Sequence, residues 1–197
     1  RLCGARKPTD DGRDEDRGNA VAAACGLGAR FLKADLARPG ACRAVVERVV
    51  DDLGRIDIAF NNAGFQERRA ALHEQPDATY DRVFDTNLRA LFLLMKAEIA
   101  AMLAQGRGVI VNNASVSGVR NPNPGLALYS ASKAAAISLT RSAALEYAPQ
   151  GIRINAVSPG RVETPMMLAS GIADMSAVAA GLPLRRLGTP EEVAEAV

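Results

Sequence analysis

Short runs of β-branched and aromatic residues alternate along the chain with longer stretches whose apolar positions recur at helical spacing. The short runs are residues 29–33, Ile56-Asp57-Ile58-Ala59-Phe60, Val109-Ile110-Val111 and Ile152-Arg153-Ile154-Asn155-Ala156-Val157. Each is too brief for a helix and has the composition of a strand buried in a sheet. Helical patterns lie between them: one around residues 19–24 ending near Gly26, one over Ala41–Leu53, one or more over residues 77–103, and one running through Tyr129 to Glu146. Strand and helix in alternation predict an α/β fold, a parallel sheet with crossover helices. Three of the strands end in small or polar residues: Asn61-Asn62-Ala63-Gly64, Asn112-Asn113-Ala114-Ser115 and Ser158-Pro159-Gly160. Ligands bind at the carboxyl ends of strands in such sheets. Residues 166–184 have the periodicity of a mobile substrate lid, and Thr189-Pro190-Glu191-Glu192 opens a further helix with a threonine cap and proline at its first position.

Composition narrows the function classes. A chain of 197 residues that is 48% hydrophobic suits one soluble domain with a real core. A net charge of +2 gives no reason to expect a nucleic-acid or membrane partner. No apolar run approaches the roughly 20 residues that cross a bilayer, and residues 1–13 are too charged for a signal peptide, so a cytoplasmic location is expected. Cys3, Cys25 and Cys42 lack paired metal-ligand spacing and are read as free thiols, with no metal site. His73 is the single histidine, in a surface loop, which argues against a Ser-His-Asp hydrolase. The charged stretch Arg13-Asp14-Glu15-Asp16-Arg17 reads as a solvated helix start.

Chemistry concentrates in Tyr129-Ser130-Ala131-Ser132-Lys133. An i,i+4 pair puts a phenol and an ammonium on one helix face. A tyrosine ionises near about 10, and a positive charge beside it favours the phenolate, which makes the pair a proton acceptor. Ser115 lies upstream at the end of a buried strand.

Taken together, Asn61-Asn62-Ala63-Gly64, Asn87, Ser115, Tyr129-x-x-x-Lys133 and Pro159-Gly160 resemble, in order and spacing, the short-chain dehydrogenase/reductase family. The resemblance implies a Rossmann-like doubly wound parallel sheet and an NAD(P)-dependent oxidoreductase that interconverts a secondary alcohol and a carbonyl. It implies that Tyr129 exchanges the proton, that Lys133 lowers the phenol pKa and binds the nicotinamide ribose, and that Ser115 holds the substrate oxygen. Asn87, a poor helix former in a helical stretch, would disrupt the helix locally and position water behind Lys133. The resemblance assigns cofactor contacts to Asp35, Leu36, Asn61, Ala63, Gly64, Pro159, Gly160, Val162 and Thr164. Arg13 falls where the family often meets a 2′-phosphate, which favours NADP. A small alcohol or ketone is the implied substrate, and a homodimer or homotetramer the implied assembly. Asn121-Pro122-Asn123-Pro124-Gly125 reads as a stiff wall beside the substrate.

The ends depart from the family pattern. Its Thr-Gly-x-x-x-Gly-x-Gly loop, which holds the pyrophosphate on backbone N–H groups, has no counterpart; Gly26-Leu27-Gly28 follows a helix and reads as a helix cap and turn. Residues 1–12 read as a tail or atypical segment, with a makeshift strand possible in 1–6, and residues 13–197 as a partial Rossmann-fold domain. In the family's strand order the first two strands stand between the strand at Phe31 and that at Ile58. The expectation is therefore a sheet interrupted at its centre, a trailing strand absent, and a fragment poorly active or inactive as it stands. Two other readings remain open. One is a chain that only docks onto intact relatives through the helices at residues 77–103 and 129–147. The other is an acyltransferase, from Ser130-Ala131-Ser132-Lys133, although its usual Ser-Asp-Asn and Lys-Thr-Gly partners do not occur.

Overall fold

Extended and helical stretches alternate in the structure, a computed structural model, which describes residues 2–3, 13–120, 124–168, 170 and 172–197. Strand β1 (Leu2–Cys3) is followed by helix α1 (Arg13–Cys25), strand β2 (Arg30–Phe31), helix α2 (Ala41–Leu53) and strand β3 (Ile58–Asn61). Helix α3 (Asp77–Phe84) passes through a π-helical turn, Asp85–Arg89, into α4 (Ala90–Gln105), then strand β4 (Gly108–Asn113). The short helix α5 (Ser117–Arg120), the long α6 (Ala127–Tyr147) and strand β5 (Ile152–Val157) come next. Helices α7 (Pro165–Leu168), α8 (Met175–Ala180) and α9 (Pro190–Glu195) complete the order.

β3, β4 and β5 form a parallel sheet with β4 in the middle, Ile110 pairing with Ala59 on one side and Ile154 on the other. Parallel neighbours need a crossover, and α3–α4 and α6 supply the two. The apolar run of β4 is buried on both faces, with Ile110 and Val111 out of water, which is why it shows no alternation with polar residues. Leu94, Met95, Ile99 and Met102 of α4, Ala136 and Ala143 of α6, and Ile152 and Ile154 of β5 close the core around it. Cys42 and Val46 of α2 join the same cluster from the far side of α4.

Several boundaries differ from the sequence reading for local reasons. β3 begins at Ile58 rather than Ile56, because the Gln105 side chain binds both backbone groups of Ile56, at 2.8 and 2.7 Å, in place of a strand neighbour. Leu2 and Cys3 pair in parallel with Arg30 and Phe31 of β2. Part of the stretch read as a tail is thus a strand beside β2, and one of the two strands expected to be missing there has a counterpart. The remainder of residues 1–12 lies outside the described residues, as do Asn121, Pro122 and Asn123 of the expected wall. Among the described residues no strand joins the β1–β2 pair to the three-stranded sheet, so the interruption is present.

The turn after α1 has left-handed backbone at Gly26 (φ 58°), Leu27 (φ 54°) and Gly28 (φ 72°), and the Gly26 N–H bonds the Ala23 carbonyl, a helix cap as read. The region read as a lid contains α7 and α8. At α9 the Thr189 hydroxyl accepts the Glu192 N–H, the threonine cap expected from the sequence, and the Glu192 carboxylate accepts the Thr189 N–H in return. Among the described residues no helix is long and apolar enough to cross a membrane.

Candidate active site

The carboxyl end of β4 turns sharply into α5, and α5 lies flat against α6. A Cβ on Gly118 would stand 2.6 Å from the Lys133 carbonyl carbon and 2.7 Å from the Ala134 nitrogen, so only glycine permits this approach. The packing sets Ser115 against the first turns of α6. The Ser115 hydroxyl faces the Tyr129 phenol closely enough to favour its ionised form, and accepts the Ser117 N–H at 3.1 Å. Lys133, 5% exposed, donates to the Asn113 carbonyl at 2.6 Å, with its nitrogen 5.8 Å from the centre of the Tyr129 ring. Serine, tyrosine and lysine, separate in sequence, thus converge at one strand end.

Burial governs the ionisation of both basic-site groups. It pushes the Tyr129 phenol up, the nearby Ser115 hydroxyl pulls it back, and the Glu67 carboxylate raises it further. Burial also brings the Lys133 ammonium down to about 8. The sequence reading had Lys133 lowering the phenol; in this structure the net direction is upward, because both groups are out of water and neither charge is favoured there.

Asn87 does disrupt its helix, at the third position of the π-helical turn, and is 3% exposed. Its amide donates to the Phe65 carbonyl at 2.8 Å and to the Ser132 hydroxyl at 2.9 Å, and accepts the Phe65 N–H at 2.7 Å. Ser132 in turn donates to the Tyr129 carbonyl at 2.7 Å. A Cβ on Gly64 would lie 3.6 Å from the Lys133 nitrogen and 3.7 Å from the Asn87 oxygen, so these three residues face one another.

The residues expected to meet a cofactor are more dispersed. Ala63 and Gly64 follow β3 beside Lys133. Pro159 accepts the Val116 N–H at 3.0 Å, and among the described residues nothing lies within 4 Å of a Cβ placed on Gly160. Val162 bridges to Gly188, and the Thr164 hydroxyl caps the Met167 N–H at 3.2 Å. Asp35 caps Ala37 and pairs with Arg38, and Leu36 is buried with its carbonyl accepting from the Cys42 thiol. Asn61 turns its side chain into the core, onto Glu98 and Asn112 at 3.0 Å each, which leaves its backbone alone to face the strand end. The side chain of Arg13 lies outside the described residues. His73 is in a short 3₁₀ turn, Leu72–Glu74, and exposed, away from this chemistry. Glu67, Ser132 and Gly118 belong to the site and were not singled out from the sequence; a serine or glycine at such positions has no signal until the helices are packed.

The sequence model described as enoyl-(acyl carrier protein) reductase matches residues 8–197. Cyclohexanol dehydrogenase of Acinetobacter sp. (strain SE19) is 42% identical over 165 residues, which cover 84% of this chain; the chain spans only 64% of that relative's length. The structure of 3-ketoacyl-(acyl-carrier-protein) reductase from Brucella melitensis complexed with NADH superposes with a TM-score of 0.86 at 31% identity, over 93% of this chain and 75% of that one. ElxO with NADP bound superposes at 0.85 with 29% identity, over 93% and 75%. A match over nearly the whole chain, added to the serine, tyrosine and lysine gathered at the end of β4, establishes that this chain belongs to the short-chain dehydrogenase/reductase family.

Proposed function

We propose that this chain carries the acid/base centre of an NAD(P)-dependent oxidoreductase that interconverts a small secondary alcohol and its ketone. The observation that carries the reading is the gathering of buried Ser115 and Lys133 about the Tyr129 ring at the carboxyl end of the middle strand, with the lysine nitrogen 5.8 Å from the ring centre and bonded to the Asn113 carbonyl. An oxygen placed where the two hydroxyls meet is within reach of both. Tyr129 takes the proton from an alcohol there, or gives it to a carbonyl, while Ser115 stabilises the charge that develops on the same oxygen. Because burial holds the phenol protonated, the resting site is set to donate, and oxidation gains from alkaline pH.

A nicotinamide cofactor supplies or accepts the hydride when bound. The residues present fit one. The Lys133 ammonium is buried with the Asn113 carbonyl as its acceptor, and the Asn113 side-chain oxygen is buried without a partner among the described residues, so the residue that holds the lysine also carries an acceptor in need of a donor. Gly160 leaves space beside the backbone, with no described atom within 4 Å of a Cβ placed there. In this reading Ala63, Gly64, Pro159, Gly160, Val162 and Thr164 hold the nicotinamide end, Asp35, Leu36 and the Asn61 backbone the adenosine end, and Arg13 a 2′-phosphate, favouring NADP. The similarity to a cyclohexanol dehydrogenase supports a small alicyclic alcohol or ketone as substrate, and a homodimer or homotetramer is the assembly proposed.

Docking onto relatives without catalysis is the second reading, favoured by the exposure of Leu145 on α6 and of Phe92 and Leu103 on α4. Titration of the purified chain with NADPH and NADH, followed by fluorescence, separates the two. Saturable binding, with Tyr129→Phe cutting turnover about 10²- to 10⁴-fold and leaving binding nearly unchanged, supports the enzyme. Absence of binding by a folded chain overturns it in favour of docking.

A further inference from the structure

Helix α6 begins without a cap of its own. Leu126 holds the cap position at φ −123°, ψ 46°, with no side-chain hydrogen bond and no acidic residue in the first turn. The first N–H groups of a helix have no intrahelical partner and need one from elsewhere. The Tyr129 N–H finds it in Glu67, sixty-two residues away in the chain, whose two carboxylate oxygens lie 3.0 and 3.1 Å from it. Glu67 is 2% exposed. Burying a carboxylate is costly unless donors or positive potential meet it, and here it stands at the positive end of a helix of 21 residues.

The loop that delivers Glu67 is fastened on both sides of it. Before it, the Asn87 amide holds both backbone groups of Phe65, and the Arg82 guanidinium lies 4.1 Å over the Phe65 ring. After it, Arg69 donates to the Pro124 carbonyl at 2.8 Å and the Ala70 N–H to the Gly125 carbonyl at 3.3 Å, just ahead of α6. The loop after β3 therefore ties the π-helical turn to the start of the helix that carries Tyr129.

We propose that Glu67 is a positioning residue for Tyr129, a cap lent by the loop after β3 that fixes the first turn of α6 and so holds the phenol against Ser115. This rests on the reading of Tyr129 as the acid/base group. The bonded N–H is that of Tyr129 itself, so loss of Glu67 moves the residue that bears the phenol. The charge acts as well as the bond. The charged groups facing the phenol are Glu67 from the loop and Lys133 from the next turn of α6; the β4–α5 side presents the uncharged Ser115.

The test uses the 197-residue chain with carbon-13 at the tyrosine Cζ atoms. Three tyrosines give three signals, and Tyr129→Phe assigns the one in question. Glu67→Gln keeps an acceptor and removes the charge: the Tyr129 titration is expected to move down, with its amide exchange within about threefold of wild type. Glu67→Ala removes both, and exchange of the Tyr129 amide is expected to quicken at least about tenfold. Turnover should fall about tenfold in Glu67→Ala at constant KM and recover in Glu67→Gln. A wild-type titration in Glu67→Gln overturns the proposal, even if Glu67→Ala does not fold. So does unchanged amide exchange in a folded Glu67→Ala. Titration and exchange that respond as expected in a chain without hydride transfer uphold the positioning role and overturn the proposed activity.

Discussion

Glu98 and Lys133 are both ionisable and both buried, and they oppose each other in their effect on stability. Burial pushes the Glu98 carboxyl from its ordinary 4.5 up to about 7, against a smaller pull from the Asn61 amide. The folded state therefore holds a proton that the unfolded chain has lost, so this contribution to stability is complete below about pH 4.5 and disappears as pH rises through about 7. Lys133, held down to about 8 from 10.5, behaves in reverse: its contribution is present above about pH 10.5 and is lost as pH falls through about 8. Glu98→Gln keeps an acceptor for Asn61 and removes the titration. Urea midpoints at pH 5 and pH 8 are expected to fall with pH in the wild type and to differ less in the variant; equal slopes would mean that Glu98 stays ionised throughout. At this scale the sequence showed Tyr129 and Lys133, whose spacing is local, and Ser115, which follows the apolar run of a buried strand. It hid Glu98, which shares its helical stretch with Lys96 and reads as one more solvated charge, and Glu67, whose run Gln66-Glu67-Arg68-Arg69 has the polarity of a solvated loop. What buries Glu67 is the place where α6 begins, and that is settled by tertiary packing.

Among the elements, α5 has one turn and yet sets the distance between Ser115 and α6. Its Gly118 meets the α6 backbone at Lys133 so closely that an added methyl overlaps carbonyl carbon, oxygen and the next nitrogen, all backbone atoms that cannot swing aside. Gly118→Ala is expected to cost about 1–3 kcal/mol of stability and to lower turnover more than cofactor affinity, since it parts Ser115 from Tyr129 while leaving β5 and Gly160 in place. Urea unfolding and steady-state kinetics on one preparation check both halves; a variant with wild-type turnover would show that α6 shifts as a unit with the site intact. Helix α2 and strand β5 match the sequence reading because their patterns are strong and their ends carry turn residues, Gly40 and Gly54 about α2 and Gly151 before β5. The long helical stretch is interrupted at Asp85–Arg89, where Asn87 prefers the Phe65 backbone to solvent. The misfit of asparagine in a helix was visible in the sequence, but the partner that resolves it was not.

Over the whole molecule the order of motifs revealed the family, and among the described residues the sheet is interrupted where that order implied. The pairing of Leu2 and Cys3 with β2 was less legible, because a strand of two residues carries no periodicity and is defined by its neighbour. The interruption has a physical consequence. β3 is hydrogen-bonded only to β4 among the described residues, and beside that open edge Ile58 is 70% exposed and Phe60 42%. A hydrophobic strand with a free edge pairs with other chains unless charge blocks it. The chain as given is therefore expected to self-associate with rising concentration, and Ile58→Lys, which puts a charge on that edge and removes no core contact, to lower light scattering at equal concentration. Scattering unchanged by the lysine would move the associating surface to α6, where Leu145 is 83% exposed, and Leu145→Lys would then be the variant that disperses the chain.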